Sequence, residues 1–227
     1  MAKLAPHAAH GKIEEMIARG LVATSVLIGF GLLLLLRMTL PNPTPFPEDP
    51  TQPLPILPPS EPAIGDPIDA YRGVAVYHNG PEIVVSHGRH FAPCGYYYGQ
   101  KWQCVEFIKR FYFDALGHAF PDVMGHAKDF FDPAVPHGEM NHRRGLLQFR
   151  NGRDVEPQPD DLLVFTEGSY GHVAIVSAVG SRHIEIIQQN ILGQPRAVLP
   201  LHQEERRWHV GDTFPPAGWL RKPRPWP

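Results

Sequence analysis

The sequence predicts an α+β domain, because one amphipathic helix is followed by a run of strands. Apolar residues recur at spacings of three and four over residues 103–116, which is the period of a helix with one buried face. Two short strands, 73–77 and 82–85, are predicted before the helix, on either side of a turn at Asn79-Gly80. Three apolar segments after the helix are predicted strands: 161–165, 172–179 and 184–190. A helix followed by several strands is typical of α+β folds.

Composition limits the chain to one catalytic or binding domain with appendages. Its 227 residues are few for two full domains. The 21 Lys and Arg residues are balanced by 23 Asp and Glu residues, and the formal charge of −2 argues against a nucleic acid partner. The two cysteines, Cys94 and Cys104, exclude a disulfide-dense scaffold and a four-cysteine zinc site.

An uncharged apolar segment, residues 21–36, precedes the domain. Together with the next four residues it predicts a transmembrane anchor over 21–40. A cleaved signal peptide is the alternative, although no Ala-x-Ala-like site follows the segment. Basic residues are more frequent before the segment than directly after it, so the positive-inside rule places residues 1–20 in the cytoplasm. The domain is therefore expected to be periplasmic or extracellular, on a single-pass protein of the inner membrane.

A proline-rich segment, residues 41–67, connects the predicted anchor to the domain. It contains eleven prolines and neither Lys nor Arg. Such a segment is expected to be a stiff, polyproline-II-like linker. The globular domain is then predicted to span residues 68–227.

Cys104 and His172 are the candidate nucleophile and base. Cys104 lies at the start of the predicted helix, where free N–H groups and the helix dipole stabilise a thiolate. A packed structural cysteine is the alternative. His172 begins a predicted strand directly after Gly171, from which it can project into a cleft, but one of 13 histidines can equally be exposed without a role. Thiol catalysis needs a base that is distant in sequence and adjacent in space.

The residues around both candidates resemble the CHAP family of cysteine- and histidine-dependent amidohydrolases/peptidases, and within it the glutathionylspermidine amidase domains. The resemblance rests on WQCVEF at 102–107, GHVAI at 171–175 and the Gln189-Asn190 pair, and it extends over about residues 70–220. It implies a papain-like α+β fold and hydrolysis of amide bonds. It also implies that no metal or organic cofactor is needed.

The resemblance assigns a role to each matching position. It implies that Cys104 is the nucleophile, that His172 is the general base and that Gln103 contributes its side chain to the oxyanion hole. The amidases have a glutamate as the third member of the site, where this chain has Gln188. A neutral amide can orient the imidazole, but it cannot stabilise an imidazolium by charge.

Gln188 and Asn190 compete for the third position, because they share one face of the predicted strand. A two-residue turn at 180–181 would place His172 opposite Gln189, on the wrong face. A three-residue loop or a bulge would place His172 opposite Asn190 and diagonal to Gln188. A working triad therefore requires an odd-length loop or a bulge.

Other polar residues carry weaker expectations. Lys109 and Arg110 are expected near the rim of the site or in solvent, where they could hold a substrate carboxylate. Cys94 is predicted to be a free or packed thiol, with a redox disulfide to Cys104 as the alternative. The histidine-rich segments 87–90 and 137–142 lack the helical spacing of a zinc site.

Three functions fit these observations. The first is a membrane-anchored thiol amidase or peptidase that acts on peptide-type amide bonds outside the cytoplasmic membrane, with peptidoglycan as a candidate substrate. The second is an amidase for glutathionylspermidine or a related conjugate. The third is a non-catalytic binding domain that keeps the fold after losing the acidic group.

Overall fold

One α-helix and an eight-stranded antiparallel sheet dominate the part of the chain that the structure describes. The structure is a computed structural model that describes residues 61–121 and 125–223, all of them within one unit, Pro58–Pro227. The predicted segments 1–20 and 21–40, and residues 41–60 of the predicted linker, lie outside the described residues. No helix among the described residues is long and apolar enough to span a membrane.

The described elements combine one helix with many short strands, as predicted. In chain order the elements are β1 (Pro67–Tyr71), β2 (Val74–Tyr77), β3 (Arg89–Phe91), β4 (Tyr97–Gln100), α1 (Cys104–Leu116), a 3₁₀ helix (Ala127–Phe130), β5 (Met140–Asn141), β6 (Leu146–Arg150), β7 (Leu162–Phe165), β8 (His172–Val179), β9 (His183–Ile187), β10 (Arg196–Glu204), β11 (Arg207–Val210) and β12 (Gly218–Arg221). The large sheet has the strand order β11-β10-β9-β8-β7-β12-β6-β5, and its neighbouring strands pair antiparallel.

The predicted helix over 103–116 is confirmed as α1. Gln103 has an extended backbone and immediately precedes the first helical residue, while Gly117 adopts a left-handed conformation (φ 61°) that ends the helix. Phe107 and Phe111 on its apolar face are fully buried. The helix packs against β2, β4 and β8. Part of its polar side is therefore covered in addition to its apolar face.

Strand β8 lies in the interior of the large sheet and is buried on both faces. Val173 and Ile175 belong to the apolar cluster that contains α1, whereas Ala174 and Val176 belong to a second cluster. This alternation follows from the two-residue period of a strand, and it explains why the sequence of β8 is almost continuously apolar. The first residue of β8 is thereby held at a fixed place beside the helix.

The strand predicted over 82–85 is wrong, and the strand predicted over 184–190 is wrong in part. Residues 82–85 form a turn closed by a hydrogen bond from Val85 N–H to Glu82 O, and β2 instead pairs with β1. Val84 is 74% exposed in this turn, so its apolar side chain is not covered by a second strand. The strand predicted over 184–190 ends at Ile187. Asn190 has φ 69°, which is incompatible with an extended strand.

A β-bulge sets the register between β8 and β9. The pairing shifts by one residue between Val176 and Ala178, next to a short turn that joins the strands. The register on the far side of the bulge pairs Ile175 with Ile187, and its extension to the start of β8 would set His172 opposite position 190 and diagonal to Gln188, although β9 itself ends at Ile187. The bulge is one of the two devices that the sequence required for a working triad.

Candidate active site

Cys104 is the first residue of α1, and it is buried. Only 9% of its surface is exposed, and its sulfur accepts a backbone hydrogen bond from Val173, the residue that follows His172. Burial raises the pKa of the Cys104 thiol to about 11, and hydrogen bonds from backbone N–H groups lower it only in part. The expected stabilisation of a thiolate by the helix start is therefore outweighed by burial, and the thiol is protonated at neutral pH.

Gln188 orients His172 and selects its tautomer. The Gln188 Nε2 atom lies 3.2 Å from the carbonyl oxygen of Gln194, which can only accept, so this end of the amide must be the NH₂ group. Its Oε1 atom lies 3.0 Å from His172 Nε2 and must accept a proton from it. A neutral His172 then carries its hydrogen on Nε2 and keeps a lone pair on Nδ1. That lone pair is what a base needs.

Burial keeps His172 neutral. Loss of hydration lowers the pKa of His172 to about 4, and the hydrogen bond to Gln188 opposes this shift only weakly. A thiol with a raised pKa and an imidazole with a lowered pKa form a neutral pair at pH 7. At neutral pH these shifts favour a thiol beside a neutral base over a thiolate–imidazolium ion pair.

A glycine is required directly before His172. Gly171 has φ +70°, and a Cβ atom built on it would lie 2.5 Å from the carbonyl oxygen of Phe165 and 2.7 Å from the Cβ atom of Lys128. Both neighbours are too close for any side chain at this position. The Gly-His sequence therefore reflects a tight backbone approach that places His172 at the start of β8.

Asn190 contacts Gln103, and it makes no hydrogen bond to His172 among the described contacts. Its Nδ2 atom donates to Gln103 Oε1 at 2.7 Å, and its Oδ1 atom accepts from Asn79 Nδ2 at 2.7 Å. Gln103 in turn donates its NH₂ group to the carbonyl oxygens of Val85 (2.7 Å) and Ile83 (3.2 Å). Geometry thus separates the two candidates: Gln188 contacts the base, and Asn190 holds the residue before the nucleophile.

Gln103 lines the site, but both of its amide hydrogens are engaged. The acceptors belong to the turn at 82–85, as described above. A contribution of this side chain to an oxyanion hole therefore requires the amide to leave these two carbonyls. The N–H groups in the first turn of α1 lack helical acceptors and are the donors that the fold supplies without rearrangement.

A buried charge pair lies beneath the nucleophile. Glu106 is fully buried, and its carboxylate accepts hydrogen bonds from Arg110 Nε (2.6 Å), His90 Nδ1 (2.8 Å) and Gln189 Nε2 (2.7 Å). Burial alone would raise the pKa of Glu106, but these donors hold it below its usual value. Gln189 also donates to the carbonyl of Gln103 at 3.0 Å. The pair is thereby linked to the backbone that carries Cys104.

The predicted placement of Lys109 and Arg110 at the rim or in solvent is wrong. Lys109 is 1% exposed and Arg110 is 5% exposed. Arg110 binds Glu106, and the Lys109 ammonium lies 5.2 Å and 5.0 Å from the ring centres of Tyr96 and Tyr97. Both cations are buried because β4 and its neighbours enclose the polar side of α1 as well.

Sequence reasoning missed Glu106, His90 and Asn79. Glu106 and Arg110 are spaced by four residues on one helix, and this spacing is a recognisable signal for an ion pair. His90 and Asn79 belong to irregular or short segments, and no local pattern marks their contacts to the site. His90 and its neighbour His87 bind Glu106 and the carbonyl of Asn79, respectively.

The two cysteines are both free thiols. Cys94 is exposed and Cys104 is buried. The expectation that Cys94 is a free thiol is confirmed. Over residues 61–121 and 125–223, the structure contains no group of three or more side chains arranged to hold a metal ion.

Cys104 and His172 open into the same cavity, an open cleft of about 460 Å³. Four of the site residues predicted from the sequence line this cavity: Cys104, His172, Gln103 and Asn190. Gln188 is not among the described lining residues, and it reaches the site through its hydrogen bond to His172. A thiol, an imidazole and an amide that contacts the imidazole, each on a different backbone segment, are the groups that a thiol-dependent acyl-transfer site requires.

The family model for the CHAP domain matches residues 95–190, which include the whole of α1, β8 and β9. This part of the chain is a CHAP domain. The match confirms the family that the residues around Cys104 and His172 indicated.

Named relatives agree with this assignment. Bifunctional glutathionylspermidine synthetase/amidase of Escherichia coli (strain K12) is 36% identical over 116 residues, which are 49% of this chain and 18% of the relative, and the protein of the same name from Shigella flexneri matches equally. Trypanothione synthetase of Crithidia fasciculata is 30% identical over 139 residues, 55% of this chain and 21% of the relative. The chain therefore spans about a fifth of the length of these relatives. Family and relatives support the predicted class of amidase or peptidase.

Proposed function

We propose that the CHAP domain hydrolyses a peptide-type amide bond with Cys104 as nucleophile, His172 as general base and Gln188 as the residue that orients the base. The observation that carries the proposal is the Gln194–Gln188–His172 hydrogen-bond chain. It selects the tautomer whose Nδ1 can accept the thiol proton. This arrangement supports the papain-like site that the sequence resemblance implies.

The proposed reaction begins with a neutral Cys104 thiol and a neutral His172 imidazole. His172 Nδ1 accepts the Cys104 proton as the sulfur attacks the substrate carbonyl carbon, so charge separation develops during attack and does not precede it. N–H groups at the start of α1 stabilise the oxyanion, and Gln103 joins them once its amide is released from residues 83 and 85. His172 then protonates the departing amine. Water next attacks the thioester carbonyl carbon while His172 takes one of its protons, the C–S bond breaks, and His172 returns the proton to the Cys104 sulfur as the acid product leaves.

The proposed cellular setting rests on the sequence outside the described residues. We propose that residues 21–40 anchor the protein in the inner membrane, with residues 1–20 in the cytoplasm, 41–67 as a linker and 68–227 outside. The uncharged segment and the distribution of basic residues support this topology. Wall peptides are then the accessible amide substrates, and peptidoglycan is the candidate we place first.

The named relatives support a second candidate substrate, glutathionylspermidine. One experiment tests the reaction and chooses between the two candidates. The full chain is incubated with peptidoglycan fragments and with glutathionylspermidine, and the products are read by mass spectrometry.

Cleavage that is lost in Cys104→Ser and in His172→Ala, and kept in Cys94→Ser, is the expected result. The last variant is the matched control, because Cys94 is an exposed thiol outside the cavity. Cleavage of neither substrate, with no thioester trapped on Cys104, would instead favour the non-catalytic domain.

A further inference from the structure

The cavity at Cys104 and His172 is an open cleft of about 460 Å³. Small-molecule sites commonly have volumes of about 300–1,000 Å³, so the cleft can hold the groups on the two sides of one amide bond. The chemistry of the cavity wall therefore acts on the substrate atoms next to the scissile bond.

The walls of the cavity are largely aliphatic and aromatic. Ile83 and Val84 form part of one wall and are 42% and 74% exposed. Tyr170 lies on another wall at 58% exposure, with its ring edge-to-face against His126 at 4.9 Å between ring centres. Exposed apolar side chains beside a nucleophile are available for contact with apolar parts of a substrate.

Charged side chains are missing from the part of these walls that the structure describes. None of the described residues that line the cavity is an Asp, Glu, Lys or Arg. The cations of α1 that follow Cys104, Lys109 and Arg110, are buried and engaged with Tyr rings and with Glu106, as described above. A substrate ion bound against the described side chains would give up part of its hydration without gaining an opposite charge from them.

Two pairs of neutral polar side chains in the cavity are hydrogen-bonded to each other. Ser86 Oγ donates to Gln100 Oε1 at 2.7 Å, and Asn190 Nδ2 donates to Gln103 Oε1 at 2.7 Å. A carboxylate or an ammonium group that binds to these atoms would have to break the pairs. The two pairs therefore do not compensate for the missing charges.

From these walls we infer that the substrate carries uncharged, partly apolar groups on both sides of the scissile amide. The inference rests on the proposed amidase function and names its substrate class. It favours neutral peptide segments over glutathionylspermidine, because a polyamine conjugate brings ammonium groups close to the reacting amide.

The test uses matched peptides that differ in one side chain next to the amide bond. Acetylated, amidated tetrapeptides carry Gln, Glu, Lys or Phe on the acyl side in one series and on the leaving side in the other. Gln and Glu have nearly the same size, so their comparison isolates charge. Turnover by the full chain is read by mass spectrometry, and binding of the same peptides is measured on Cys104→Ser.

The expected result is a kcat/KM at least tenfold higher for the Gln and Phe peptides than for the Glu and Lys peptides, with the same order in binding to Cys104→Ser. Equal handling of charged and neutral peptides, or preferential cleavage of glutathionylspermidine, would overturn the inference and leave the hydrolase standing. Selective binding of neutral peptides without any turnover would defeat the proposed hydrolase and support the substrate class. Absence of binding by any peptide would overturn the substrate class.

A charge placed in the wall provides an independent check. Val84→Lys adds an ammonium group to an exposed position of the cavity and should raise the Glu-to-Gln ratio of kcat/KM about tenfold. Val198→Lys is the matched control, because Val198 is 63% exposed on β10 and does not line the cavity. An equal change of the ratio in both variants, or no change in Val84→Lys, would contradict the assignment of this wall to substrate binding.

Discussion

Replacing Gln188 by glutamate tests the electrostatic account of the site directly. The substitution puts a carboxylate where an amide oxygen now lies 3.0 Å from His172 Nε2. A carboxylate at that distance favours the imidazolium, so the pKa of His172 is expected to rise from about 4. The thiolate–imidazolium pair becomes more accessible as a result.

The size of the effect can be estimated from the contact. Two unit charges 3 Å apart attract each other by about 5 kcal/mol at an effective dielectric constant of ~20. Two costs reduce this value: the carboxylate is buried where Gln188 is 6% exposed, and its second oxygen faces the Gln194 carbonyl that now accepts a hydrogen bond. A net rise of about 1–3 pKa units, or ~1.4–4 kcal/mol, is therefore expected for His172.

The assay is an NMR titration of the histidine Cε1–H signals between pH 3 and pH 9. Comparison with His172→Ala assigns the signal among the 13 histidines. Asn190→Asp is the matched charge control, because its carboxylate would contact Gln103 and not His172. In a folded Gln188→Glu variant, an unchanged or lowered pKa of His172 would refute the reasoning, as would an equal rise in Asn190→Asp. Amidase turnover should hold or increase in Gln188→Glu and fall in Gln188→Ala.

Three further results are expected. The first concerns the rate at which iodoacetamide alkylates Cys104, measured in a Cys94→Ser background. A pKa of about 11 leaves only ~10⁻⁴ of the Cys104 thiol ionised at pH 7, so this rate should rise about tenfold per pH unit from pH 7 to pH 10. Glu106→Gln should lower the free energy of unfolding, measured in urea, by about 3–5 kcal/mol, because it leaves Arg110 without its buried counter-charge. The control, Glu185→Gln, removes a charge from a half-exposed pair and should lower the free energy of unfolding by ~1 kcal/mol or less. A reporter fused after the last residue should be active only if exported, and the protein should stay in the membrane fraction through residues 21–40.

Each of these results has an opposite outcome that would count against its premise. A rate of alkylation that begins to level off near pH 8.5, roughly the ordinary pKa of a cysteine thiol, would contradict the effect of burial. Equal losses of stability in the two glutamate variants would show that burial of the first pair is energetically unimportant. Activity of a reporter that works only in the cytoplasm would defeat the predicted topology.

The elements that carry the site could be predicted because their signals are local. The helix over 103–116 has an apolar period of its own, and the strand that begins at His172 has a long apolar sequence. The need for a bulge or an odd loop also followed from the alternation of side chains along a strand. Local periodicity and the side-chain alternation of the hairpin were therefore sufficient to bring His172 near Gln188 and Asn190, and the contacts of the folded chain separate these two.

The wrong predictions concern burial, which depends on what packs around an element. Lys109 and Arg110 lie on the polar side of an amphipathic helix, and this side normally faces solvent. Here β4 packs against the helix, and aromatic rings and Glu106 take the charges. The strand predicted at 82–85 has an apolar sequence but no partner strand, and pairing is a property of the fold rather than of the segment.

The same burial explains why a glutamine can serve as the third member of the site. In an exposed site, a thiol and an imidazole with ordinary pKa values could form an ion pair that a carboxylate would stabilise. Here both groups are neutral at pH 7, so the orienting residue has no resting positive charge to balance, and an amide that selects the Nε2–H tautomer meets the remaining requirement. The described side chains of the cavity walls fit this arrangement, because none of them is an Asp, Glu, Lys or Arg that would stabilise either charged form before substrate binds. The charge that develops during attack must then be stabilised at the oxyanion itself, and the first turn of α1 is the place where donors for it are available.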